Sequence, residues 1–93
     1  MRVKLNGKFW HLRFVPQLRD YGDMVDPGSA EGRRIRIGTW QSEEELLDTI
    51  LHELLHCIEP NWTEERVTQA SREMSRVLWR LRYRRVDPID KSK

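Results

Sequence analysis

Residues 42–60 constrain this chain more tightly than any other stretch. Ser42-Glu43-Glu44-Glu45 is a capping box, a serine followed three residues on by glutamate. The three glutamates also suit the positive end of a helix dipole. Leu46, Leu47, Ile50, Leu51, Leu54, Leu55 and Ile58 then recur at helical spacing as a broad apolar stripe. Pro60 cannot continue a helix. The pattern predicts a helix over 42–59 with one side committed to a core. His52 and His56 fall on the side of the wheel opposite the leucines and are expected to face a cleft or solvent.

That pair belongs to the run His52-Glu53-Leu54-Leu55-His56, an H-E-x-x-H motif. Residues four apart share a helix face one turn apart. Two imidazoles there can reach one tetrahedral zinc ion at about 2.0–2.1 Å per nitrogen. Glu53 follows the first histidine and is expected on the flank of the same face, free to take a proton from a water on the metal. The motif points to a zinc-dependent hydrolase with Glu53 as general base. A catalytic zinc commonly takes a third protein ligand. Glu64, early in a second helix and on the edge of its inner face, is the leading candidate, with Glu65, Glu59 and His11 behind it. Glu64 also has a structural reading, since acidic residues are common in a first helical turn and Asn61-x-x-Glu64 can form a capping box.

Upstream, Val3 and Leu5 alternate with Lys4 and Asn6, and Trp10, Leu12 and Phe14 alternate with Phe9, His11 and Arg13. Between them Asn6-Gly7 is a strong two-residue hairpin signal, because both positions accept positive φ. Such a turn pairs Leu5 with Lys8 and Val3 with Trp10. Cross-strand partners share a face, so Met1, Val3, Leu5, Trp10, Leu12 and Phe14 are expected on the core side of a β-hairpin over 1–15. Residues 16–32 contain Gly22, Pro27, Gly28, Gly32 and four acidic residues, and read as a long loop of the kind that often rims a site. Arg33-Arg34-Ile35-Arg36-Ile37-Gly38 is a third short strand over 33–38. A second helix is expected over 62–85, with Val67, Ala70, Met74, Val77, Leu78 and Leu81 on its inner face, and 86–93 as a tail. The fold class is α+β: one domain, 1–93, with a small sheet packed against two long helices.

Charge is laid out in blocks. Residues 1–40 carry eight Lys/Arg and four Asp/Glu, 41–65 eight acidic residues and no Lys or Arg, and 66–93 nine basic and three acidic residues. The acidic middle can attract a cation or pair with the basic ends. No apolar run approaches the ~18–20 residues that span a bilayer, and MRVKLNGKFW lacks the apolar stretch of a signal peptide. The single cysteine, Cys57, allows no internal disulfide. These features favour the reducing cytoplasm and no membrane association. Cys57 is expected as a packed thiol rather than a ligand, and Trp40, Trp62 and Trp79 as core or interface aromatics. A domain this small without disulfides is often stapled by a bound metal.

The run HELLHCIEPNWTEERV resembles the compact metallopeptidase-like domains of the ImmA/IrrE group and their small phage-encoded relatives. The resemblance covers about residues 33–80. It implies the smallest form of the zincin fold, zinc held by His52, His56 and Glu64, Glu53 as base, and a peptide or protein substrate. The second helix departs from that group's Glu-x-x-Ala-Asn pattern, reading Glu64-Glu65-Arg66-Val67-Thr68, and the third histidine of the SprT-like group is missing. In zincins an edge strand takes up extended peptide, and Ile35–Gly38 is the strand expected to do so here. The rival class is a zinc-stabilised, non-catalytic binding module. For nucleic acid, its contacts would come from Arg72, Arg76, Arg80, Arg82, Arg84 and Arg85 with Trp79 and Tyr83.

Overall fold

The computed structural model describes residues 1–85. The chain runs β1 (Arg2–Leu5), β2 (Lys8–Val15), β3 (Gly22–Val25), a 3-10 turn at Ala30–Gly32, β4 (Arg34–Gly38), α1 (Glu43–Ile58) and α2 (Glu64–Arg80). The strands form one mixed sheet in the order β1-β2-β4-β3. β1 and β2 are antiparallel, β2 and β4 parallel, and β3 and β4 antiparallel. The fold is α+β, with α1 on one face of the sheet and α2 against α1.

The hairpin has the expected turn and register. Asn6 and Gly7 take φ of 52° and 74°, the left-handed pair that a primed two-residue turn requires. Leu5 then faces Lys8, and Val3 faces Trp10. Trp10 and Leu12 are buried with Ile35, Ile37, Leu46 and Cys57, and Val3, Leu5 and Phe14 pack on that cluster. Met1 departs from expectation. It is 76% exposed, and its ammonium donates to the Leu12 carbonyl.

The stretch 16–32 is not a plain loop, because it contains β3. That strand is four residues long and begins Gly22-Asp23, two residues poor in β propensity. Its pairing supplies what its composition lacks. Met24 lies opposite Ile35 on the core side, and Asp23 lies opposite Arg36, with Arg36 Nε donating to Asp23 Oδ1 at 2.9 Å. One consequence corrects the expected edge. Ile35–Gly38 is an interior strand, flanked by β2 and β3, and β3 is the sheet edge on that side.

α2 also differs from expectation. Its cap is Thr63, whose Oγ1 accepts the Arg66 N–H at 3.2 Å, so Asn61 is not the cap. The helix ends at Arg80, five residues before the expected end at 85. Arg82 turns left-handed at φ 66°, the Tyr83 N–H returns to the Leu78 carbonyl, and the Arg84 guanidinium caps the Trp79 carbonyl. The fully buried residues are Val67, Ser71 and Ser75, Ala70 and Leu78 are half-buried, and Met74, Val77 and Leu81 are 43%, 57% and 63% exposed. Both faces of α2 carry repeats at helical spacing, so periodicity alone cannot choose between them. The expected tail, 86–93, lies outside the described residues.

Candidate metal centre

A realised capping box starts α1: the Glu45 N–H donates to Ser42 Oγ, and the Ser42 N–H to Glu45 Oε1. Just before it, Gln41 is buried and fully engaged. Its amide nitrogen donates to the carbonyls of Tyr21 and Gly38, both at 2.8 Å, and its Oε1 accepts from Thr49 Oγ1 at 2.6 Å. This clamp ties α1 to the lead-in of β3 and the end of β4. It fixes the rotation of the helix, so that Leu46, Thr49, Glu53 and Cys57 point into the sheet side.

Glu53 is therefore buried, at 6% exposure, rather than lying on an open flank. Gly22 of β3 makes room for it. A Cβ added there would stand 2.9 Å from Thr49 Cγ2, 3.0 Å from the Arg36 carbonyl and 3.3 Å from Glu53 Cγ. Burial first, and then the charges of Glu64 and Asp23, push the Glu53 carboxyl up to about 7. Cys57 lies one turn further on, buried in the core, with its thiol pushed up to about 12, mainly by burial. It stands outside the cluster formed by the histidines.

His52 and His56 are half-buried and turn their Nε2 atoms to a common point, 3.1 Å apart. The first residue of α2 completes the group. Glu64 Oε1 lies 2.7 Å from His52 Nε2, and Oε2 lies 2.7 Å from His56 Nε2. The three residues offer one ligand atom each within 4.8 Å of one another. Two nitrogens bound at about 2.05 Å to a tetrahedral ion stand about 3.3 Å apart, close to the 3.1 Å seen here. Two imidazole nitrogens and a carboxylate are also a donor set that suits zinc. The residues present fit the ion.

Among the described residues this is the one group of three or more His, Cys, Asp or Glu side chains close enough to share an ion. Glu65, Glu59 and His11 are not part of it. Glu65 is exposed, Glu59 caps the end of α1, and His11 lies on the outward side of the sheet. The cluster opens into a cleft of about 780 Å³ whose lining includes Asp20–Met24, Gln41, Thr49, Glu53, Thr68 and Arg72. So the stretch 16–32 does rim the site, through β3 and its lead-in.

Sequence reasoning did not single out Gly22, Asp23, Gln41 or Thr49. One signal was available: Thr49 interrupts the leucine stripe four residues before Glu53, marking a polar track along an otherwise apolar face. The tryptophans divide. Trp10 is the core one, and Trp40 is 48% exposed, donating to the Leu18 carbonyl. Trp62 and Trp79 carry the Arg66 and Arg84 guanidiniums on their rings.

No family model matches the chain, and no curated protein or solved structure matches it. No described helix is long and apolar enough to cross a membrane.

Proposed function

We propose that this chain is a zinc-dependent hydrolase, a small zincin-like metallopeptidase related to the ImmA/IrrE group and acting in the cytoplasm. His52, His56 and Glu64 hold the metal, and Glu53 serves as general base. The observation that carries the reading is the convergence of the two Nε2 atoms and both Glu64 oxygens on one point, with the Glu53 carboxyl lining the same cleft. Zinc in such a site supplies a Lewis acid that polarises a carbonyl and acidifies water.

The chain's own residues do the rest. Glu53, buried beside the histidines, takes up a proton from water and later returns it to a leaving amine; without an ion, burial and its acidic neighbours hold its carboxyl at about 7. Gly22–Met24 of β3 border the cleft, and only one side of that strand is paired. An extended peptide adding to its free edge would lie across Glu53 and the histidines, with main-chain hydrogen bonds setting its register. The substrate class is thus a peptide or an extended protein segment, received by β3 rather than by Ile35–Gly38.

Metal analysis of the purified protein tests the centre, with one zinc per chain expected in the wild type and none in His56→Ala. Peptide-library cleavage tests the chemistry, with Glu53→Gln keeping zinc and losing turnover. A metal-free wild type, or a zinc content unchanged by His56→Ala, overturns the reading. Full zinc with no cleavage of any peptide by the wild type turns the site into a structural clasp.

A further inference from the structure

The face of the sheet turned away from α1 is built unlike a solvated surface. Strand alternation places Arg2 and Lys4 of β1, Phe9 and Arg13 of β2, and Arg34 and Arg36 of β4 together on it. Arg13 stands directly opposite Arg36 in the β2–β4 register, and like charges facing each other across strands are destabilising. Of the five cations, Arg36 alone forms an ion pair, with Asp23. Arg2, Lys4, Arg13 and Arg34 are exposed and have no acidic partner among the described residues. Phe9, 40% exposed, gathers two of them, with the Arg2 guanidinium 4.0 Å and the Lys4 ammonium 5.6 Å from its ring centre. The core does not need this concentration of charge, since it is built on the opposite face, and the cleft shares with this face Asp23, which Arg36 already pairs.

We propose that this open sheet face binds single-stranded nucleic acid. The charge complement is a polyanion, because four cations have no acidic partner among the described residues. Their spacing is a ladder, about 4.8 Å between strands and about 6.7 Å between alternate residues along a strand, which suits a flexible line of phosphates. The aromatic ring and the guanidinium planes offer stacking surfaces for unpaired bases. A flat sheet face cannot enter a duplex groove as a helix or ribbon does. An acidic protein partner would call for an apolar centre, and Phe9 and Val25 are the apolar side chains on this face. The surface is separate from the arginines of α2 and independent of the metal centre.

Fluorescence anisotropy with a labelled oligothymidylate of about 16 nucleotides tests it. The wild type is expected to bind at about 50 mM salt and to weaken steeply towards 200 mM, with a log–log slope of about −2 to −3 for three to four phosphates. Arg13→Glu/Arg34→Glu should lose at least about tenfold in affinity, while Arg72→Glu/Arg76→Glu on α2 should lose far less. Circular dichroism checks the fold, and if the reversal variant is unfolded, Arg13→Gln/Arg34→Gln takes its place with a smaller loss expected. No binding at low salt overturns the proposal. So does equal or tighter binding of duplex or of polyglutamate, or a loss that follows the α2 variant instead of the sheet variant.

Discussion

The two helices contribute to the candidate centre on unequal terms. α1 supplies His52, Glu53 and His56 from its interior, held by a capping box, a buried polar clamp and four inward residues. α2 supplies Glu64 alone, from its first residue, with that side chain 68% exposed and Thr63 as the N-cap. Inward, α1 presents Leu46 and Cys57, whereas α2 presents Val67 and two serines and leaves Met74 and Val77 outside. The difference teaches that one helix is the scaffold of the site and the other its closing arm. Small inward side chains let α2 lie close to α1 without a large apolar seam of its own.

That contrast can be broken most sharply at Glu53. Glu53→Gln should lower peptide turnover on the order of 10²- to 10⁴-fold with zinc content unchanged, read by cleavage kinetics and metal analysis together. Next comes the scaffold itself. Leu46→Ala should destabilise by about 2–5 kcal/mol in urea titration, because Leu46 is 1% exposed in the core. A loss under about 0.5 kcal/mol would mean that α1 is not the anchored partner.

The buried carboxyl gives a third test, in metal-free protein. Its pKa rises from 4.5 in the unfolded chain to about 7 in the fold. The folded state therefore holds its proton more tightly. The resulting stability is full below about pH 4.5 and is lost as pH climbs through about 7. Glu53→Gln cannot ionise, so metal-free Glu53→Gln should match the wild type near pH 4 and exceed it by about 3 kcal/mol at pH 8. Thermal melts across that range read the crossover, and parallel pH curves would contradict the placement of Glu53. The closing arm should respond less. Thr63→Ala should cost about 1 kcal/mol through the lost cap and weaken zinc retention against a chelator, since the cap orders the turn that carries Glu64. Smallest of all, Met74→Lys should fall within about 0.5 kcal/mol of wild type, as a surface position does.

Much of this was legible in the amino-acid order because it rests on local rules. The Asn6-Gly7 turn, the Ser42–Glu45 box and the Pro60 stop each act within a few residues, and each appears where it was expected. The spacing of His52 and His56 also carries straight into geometry. What stayed hidden depends on partners distant in the chain. β3 exists through its pairing with β4, so four residues starting Gly22-Asp23 carry almost no signal alone. With β3 unseen, Ile35–Gly38 looked like an edge. Glu53 is buried because Gln41 and Thr49 set the rotation of α1 against the sheet, which a helical wheel cannot register. On α2, Val67 is buried and Ala70 and Leu78 are half-buried as expected, but Ser71 and Ser75 take the inward places that apolarity assigned to Met74 and Val77.

The donor atoms of the cluster all come from residues 52–64, a span of 13 residues broken only by the turn at Pro60. An ion held there would close a loop of about a dozen residues, and the entropy of closing a loop grows only slowly with its length. Ion capture at the proposed centre would thus need the helical hairpin more than the sheet. The cleft wall, by contrast, draws on Asp20–Met24, some thirty residues upstream of the motif. If the proposed centre holds an ion, its affinity and its use would draw on different parts of the chain, and damage to β3 should then abolish hydrolysis while sparing ion binding.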